Sequence, residues 1–147
     1  MRVTRLLAVF SGVCLAAAAP IGGAFAADDA APAALACTFE KGNSWSYDDG
    51  AYKSETPTPL TFEINSIDLD KQSATLVTGD KQVGALRVVR ALNANSFLEV
   101  ANEGFLNLTT VYDLDTTTGT YPAVHSRHFG ILGQPIFAQY AGSCKAK

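Results

Sequence analysis

The chain has 147 residues, 48% of them hydrophobic, and a formal net charge of −3. A chain of this size makes one domain and can bury roughly two-thirds of its unfolded surface. Eleven Lys and Arg stand against fourteen Asp and Glu, with no basic cluster. That excludes the cationic face that nucleic acid or an anionic lipid surface needs.

The N-terminus reads as a secretory signal over residues 1–26. Arg2 and Arg5 supply a positive start, LLAVFSGVCLAAAAP (6–20) an apolar core, and AFA (24–26) a small-x-small cleavage signature. The apolar core is short for a membrane span and is broken by Pro20, Gly22 and Gly23, so no stable membrane anchor is expected. Val13 before Cys14 argues against lipidation. The expected product is periplasmic or secreted, with a flexible leader at 27–35 and a single β domain at 36–147. Its two cysteines, Cys37 and Cys144, are expected to pair, as two thiols in an exported protein most simply do.

From Cys37 onward the apolar period is two. A first strand is expected at 36–41 and a short one near 44–53. In PLTFEINSI (59–67), Leu60, Phe62 and Ile64 alternate with Thr61, Glu63 and Asn65, the pattern of a half-buried strand. Strands follow at 72–78, 83–90, 96–101, 105–113, 120–129 and 134–142, each rich in β-branched or aromatic residues. Short runs of Asn, Asp and Gly separate them, among them NEG (102–104) and TTTG (116–119). Connections this short favour antiparallel neighbours. The expected fold is all-β, an up-and-down meander closed into a small eight-stranded barrel, because closure removes exposed edges. A β-sandwich is the alternative.

Both histidines lie in TYPAVHSRHFG (120–130), flanking Arg127. His125 and His128 would point to opposite faces of a strand, so they make a poor metal pair. If 105–113 and 120–129 form a hairpin with Asp113 opposite Tyr121, then Thr109 faces His125 and Asn107 faces Arg127. In this register Asn107, Thr109, His125 and Arg127 share one face. The other face carries Leu106, Leu108, Thr110 and Tyr112 against His128, Ser126, Val124 and Pro122. The second face is the more apolar and is expected to be the core, with His128 a core histidine. The four polar residues then lie either on the solvated face as ordinary cross-strand pairs or as a shallow ligand site. In the latter, Arg127 would offer a forked cation to a carboxylate or phosphate. A slip of one residue would exchange the faces.

Other signals are weaker. DLDTTTG (113–119) resembles a calcium loop, but its glycine falls one place late and the closing glutamate is missing, so a hairpin turn is expected. NLT (107–109) matches a glycosylation sequon in an unsuitable mid-strand position. Spacing alone builds no Ser-His-Asp or Cys-His arrangement. No catalytic residue, metal or cofactor is therefore assigned.

The stretches NLTTVYD (107–113), AVHSRH (123–128) and QYAGSC (139–144), with the signal peptide and the N-terminal cysteine, carry a resemblance. The chain resembles small exported proteins of alphaproteobacteria that have no assigned activity. The resemblance implies export and adds no mechanism.

The leading functional expectation is a non-enzymatic barrel that binds a small polar or anionic molecule. The second is an interaction module, such as an inhibitor of an exported hydrolase or an envelope structural factor. Its anchors would be Trp45, Tyr47 and Tyr52, residues that could equally belong to the opening strands. An enzyme using His125 or His128 as a base is the third.

Overall fold

The computed structural model describes residues 31–101, 105–131 and 133–147. The expected signal peptide and the start of the leader lie outside the described residues, as does the expected turn at 102–104. Among the described residues nine strands follow one another: β1 (Leu35–Asp48), β2 (Ala51–Glu55), β3 (Leu60–Asp68), β4 (Ser73–Thr78), β5 (Lys81–Arg90), β6 (Ala94–Ala101), β7 (Phe105–Tyr112), β8 (Tyr121–Ile131) and β9 (Gln134–Ala146). All pairings are antiparallel, in the order β2-β1-β3-β4-β5-β6-β7-β8-β9, and β1 also pairs with β9. That last pairing closes an eight-stranded barrel and leaves β2 outside the ring. The barrel expectation holds, and the sandwich is set aside.

Ala33, Ala34 and Leu35, which were expected in the leader, are joined to the barrel. The Ala33 carbonyl accepts from the Ile67 amide at 2.9 Å and the Ala34 carbonyl from the Lys147 amide at 3.1 Å. Leu35 already belongs to β1 and is buried.

The long β1 serves two neighbours on one side. Residues 35–39 pair with β3, and residues 44–48 pair with β2. The β1–β2 hairpin turns on Asp49 and Gly50, which have φ of 50° and 81°. Positive φ at both central residues is what a two-residue type I′ turn demands, and Asp-Gly is a favoured pair for it. A β-bulge between Thr38 and Lys41 shifts the register of β1 against β9. The extra residue inverts the alternation: Phe39 is buried in the lumen, but Trp45, six residues on, faces outward beside Phe137.

Gly142 makes this bulge possible. A Cβ there would lie inside the van der Waals shell of the Thr38 carbonyl oxygen and 2.8 Å from the Phe39 Cα. Both obstacles are backbone and cannot rotate away. Gly142→Ala is expected to cost about 2 kcal/mol, in the range of overpacking changes, and equilibrium urea unfolding would measure it. A cost near zero would show that the bulge can shift freely.

The core lies inside the barrel. Phe39, Ile64, Val88, Phe97, Cys37 and Cys144 are its most buried side chains. The disulfide joins Cys37 to Cys144, which face each other directly across β1 and β9.

The hairpin of β7 and β8 has the expected register, with Thr109 opposite His125 and Asn107 opposite Arg127. The assignment of its faces is corrected. Thr109 and His125 are buried, at 5% and 4% exposure, while Leu106, Leu108, Tyr112 and Val124 are exposed. His128 is not a core histidine. It lies outside and stacks on Phe137, with ring centroids 6.4 Å apart. The reason is curvature. The concave side of a small barrel is already filled by Phe39, Ile64 and Phe97 from other strands, and β7 and β8 offer it the smaller Val111 and Ala123 together with the polar residues.

Candidate functional site

The inward-facing polar residues converge on one cavity of about 100 Å³ in the barrel lumen. β6 contributes Phe97 and Glu99, β7 contributes Asn107 and Thr109, and β8 contributes His125 and Arg127. All four residues expected at a ligand site thus line one space. They sit inside the barrel, not on a solvated outer face. Residues Leu60, Thr61 and Phe62 of β3, Leu76 and Thr78 of β4 and Leu86 of β5 complete the lining. One arc of the wall is therefore mostly apolar, and the other is polar.

Strand alternation and register fix the polar arc. Glu99 pairs with Asn107, and Asn107 with Arg127, in one cross-strand row. The adjacent row runs Phe97, Thr109, His125, Tyr140. Asn107 Nδ2 donates to Glu99 Oε2 at 2.7 Å. The Glu99 carboxylate folds over Gly84, where a Cβ would come within 2.6 Å of its Oε1. Ion pairs among the described residues are Lys53–Asp48, Lys71–Asp68 and Lys147–Glu63, and Arg127 takes part in none of them.

His125 sits among aromatic rings. Its centroid lies 5.2 Å from that of Phe62, 5.6 Å from Phe39 and 5.9 Å from Tyr140. Nδ1 and the Thr109 hydroxyl are 2.9 Å apart and share one hydrogen bond, while Nε2 is buried without a protein partner. Burial, with a smaller contribution from the Arg127 guanidinium, lowers the imidazole pKa to about 4. The ring is therefore neutral at neutral pH, and its charge does not compete with that of Arg127.

Such an arrangement can bind. It offers a forked cation, a carboxylate, an amide oxygen and an apolar wall. The sequence reading missed Glu99, although SFLEVA (96–101) places it in phase with the core residue Phe97. A carboxylate on the core face of a strand was the available signal.

Elsewhere, DLDTTTG is the hairpin turn that was expected. Asp115 Oδ1 accepts from the Thr117 amide at 2.9 Å, and Gly119 closes the turn with φ of 66°. Asn107 of the sequon points into the lumen. Among the described residues no three His, Cys, Asp or Glu side chains gather as metal ligands would. Comparison with protein-family models, with curated proteins and with solved structures gives no match.

Proposed function

We propose that the protein is a non-enzymatic, exported barrel that binds a small polar or anionic molecule in its lumen. The observation that carries this reading is Arg127, a guanidinium at the cavity wall with no carboxylate partner among the described residues. A partly buried cation of this kind is costly unless something compensates it. A carboxylate or phosphate bound in the fork would do so. The disulfide is consistent with an oxidising compartment, and the signal-like N-terminus and the resemblance to exported proteins support export.

The first test is the intact mass of the protein from its exported fraction, native and then denatured. A bound species should appear in the native mass and vanish on denaturation. Arg127→Gln should weaken its retention by roughly 10- to 100-fold, the worth of a hydrogen bond to a charged group. Retention unchanged in Arg127→Gln would overturn the assignment of the site.

A second reading, an interaction module, has its own observation. Val100, Leu106, His128, Phe137 and Trp45 form one outward row across five strands. Trp45 stacks on Phe137 at 4.9 Å, and Tyr52 packs edge-on at 5.8 Å. Tyr47 and Tyr52 lie on the β1–β2 hairpin and are exposed, while Trp45 is half-buried against Phe137, so all three expected anchors are strand residues and two of them are exposed. On this reading a photo-crosslinker at position 106 captures a discrete partner that one at Val89, exposed on β5, does not. Equal capture at both positions would count against it.

A further inference from the structure

Two opposite charges occupy one cross-strand row of the lumen, Glu99 on β6 and Arg127 on β8, with Asn107 between them. Resting on the reading of the lumen as a ligand site, we infer that its ligand is a small zwitterion with an apolar arm, of the class of the aliphatic α-amino acids.

Three observations converge on that class. Neighbouring strands lie about 4.8 Å apart, so the backbones of Glu99 and Arg127 are separated by roughly 10 Å and their side chains reach in from either side of Asn107. A simple anion in this space meets Arg127 but also faces the Glu99 carboxylate. A simple amine meets Glu99 but faces the guanidinium. A ligand carrying both charges satisfies both walls, and each wall penalises the ligand that lacks its counterpart. Asn107 completes the set. Its amide already donates to Glu99 at 2.7 Å, which leaves its carbonyl oxygen as a further acceptor for an ammonium group.

The opposite arc, from β3 to β5, is built of Leu60, Phe62, Leu76 and Leu86. It gives an apolar arm a wall to lie on. Size limits that arm. An engineered cavity of about 150 Å³ is filled by benzene, six carbons. The cavity here is about 100 Å³, which in proportion holds about four carbons. A leucine side chain alone fills that space, so the charged head lies at its more exposed end, where Glu99, Asn107 and Arg127 are half-buried while Phe97, Thr109 and His125 of the next row are buried. His125 adds no third charge, because its partner is the neutral Thr109 hydroxyl and its ring is enclosed by Phe39, Phe62 and Tyr140.

The experiment compares three compounds on the intact oxidised protein by isothermal titration calorimetry: leucine, 4-methylpentanoate, which lacks the amine, and 3-methylbutylamine, which lacks the carboxylate. Leucine is expected to bind at least about tenfold more tightly than either analogue, since each analogue leaves one charged group unpaired. Glu99→Gln keeps the shape and should bring 4-methylpentanoate close to leucine, and Arg127→Gln should do the same for the amine. The three-compound comparison on the unmodified protein stands even if a variant fails to fold. Binding of 4-methylpentanoate as tight as that of leucine overturns the zwitterion while leaving an anion-binding lumen. A bound native species that none of the three displaces overturns it as well. No binding by any of them, with no extra native mass, overturns the underlying reading too.

Discussion

Replacing Cys37 and Cys144 together by alanine is expected to lower folding stability by about 4–5 kcal/mol, the chain-entropy value for closing a loop of this length. The two cysteines are 107 residues apart in sequence and adjacent in space. They sit where β1 meets β9, the pairing that turns a meander into a ring. Without the bridge, that seam must be closed by bringing the two ends of the domain together, and the loop entropy falls entirely on it. A domain of this kind has roughly 5–15 kcal/mol of stability in all, so the variant should sit near the edge of folding. Urea unfolding of the oxidised protein, the reduced protein and the double variant measures the effect. Reduction will need partial denaturation first, because both sulfurs are buried. A loss below about 1 kcal/mol would mean that the ladder between β1 and β9 closes the barrel unaided, and the entropic account would fail.

The sequence reading and the structure agree where local rules decide. Alternation in PLTFEINSI, and turns rich in Asn, Asp and Gly, are enough to count strands and to make them antiparallel. The register of β7 and β8 follows from a short connection and the two-residue period, and it brings Asn107, Thr109, His125 and Arg127 to one face as expected. Which face looks inward is not a property of two strands. It depends on what the other six put inside. Judged by apolarity alone, Leu106, Leu108 and Val124 belong to a core, yet they form the outer wall. The bulge at Thr38–Lys41 was hidden for a similar reason. Nothing within β1 marks it, and the space for it comes from Gly142 on a strand a hundred residues away. The β1–β2 hairpin was missed as well: one short strand was expected across 44–53, whereas β1 runs unbroken to Asp48 and turns at Asp49-Gly50, a two-residue turn signal that lay inside the expected strand.

Acid should destabilise the protein well above the pH at which its surface carboxylates titrate. In the unfolded chain His125 takes its proton near 6.5, and in the barrel only near 4. Between those values the unfolded state binds a proton that the folded state refuses, so stability falls as the pH drops from 6.5 to 4. Above 6.5 the contribution is flat, and below 4 the loss is complete at about 3 kcal/mol. The exposed carboxylates of Asp48, Glu63, Asp68 and Asp115 have lowered pKa values, through hydrogen bonds to Lys53, Lys147, Lys71 and the Thr117 amide respectively. Their contributions are lost as the pH falls through and below the ordinary carboxylate range, so the window from 6.5 to 4 belongs mainly to His125. His125→Phe preserves the aromatic contacts with Phe39, Phe62 and Tyr140 and removes the proton site. It should flatten that window, at a constant cost of about 1 kcal/mol for the Thr109 hydroxyl left without its partner. Adding Thr109→Val should recover that cost. Urea unfolding at pH 7.5, 5.5 and 4.5 distinguishes the cases, and equal slopes in the parent and in His125→Phe would remove His125 from the account. Arg127→Gln offers a finer check. It deletes the smaller of the two causes, so the His125 pKa should rise and the window should narrow from its acid end, while burial among the aromatic rings keeps most of the effect in place.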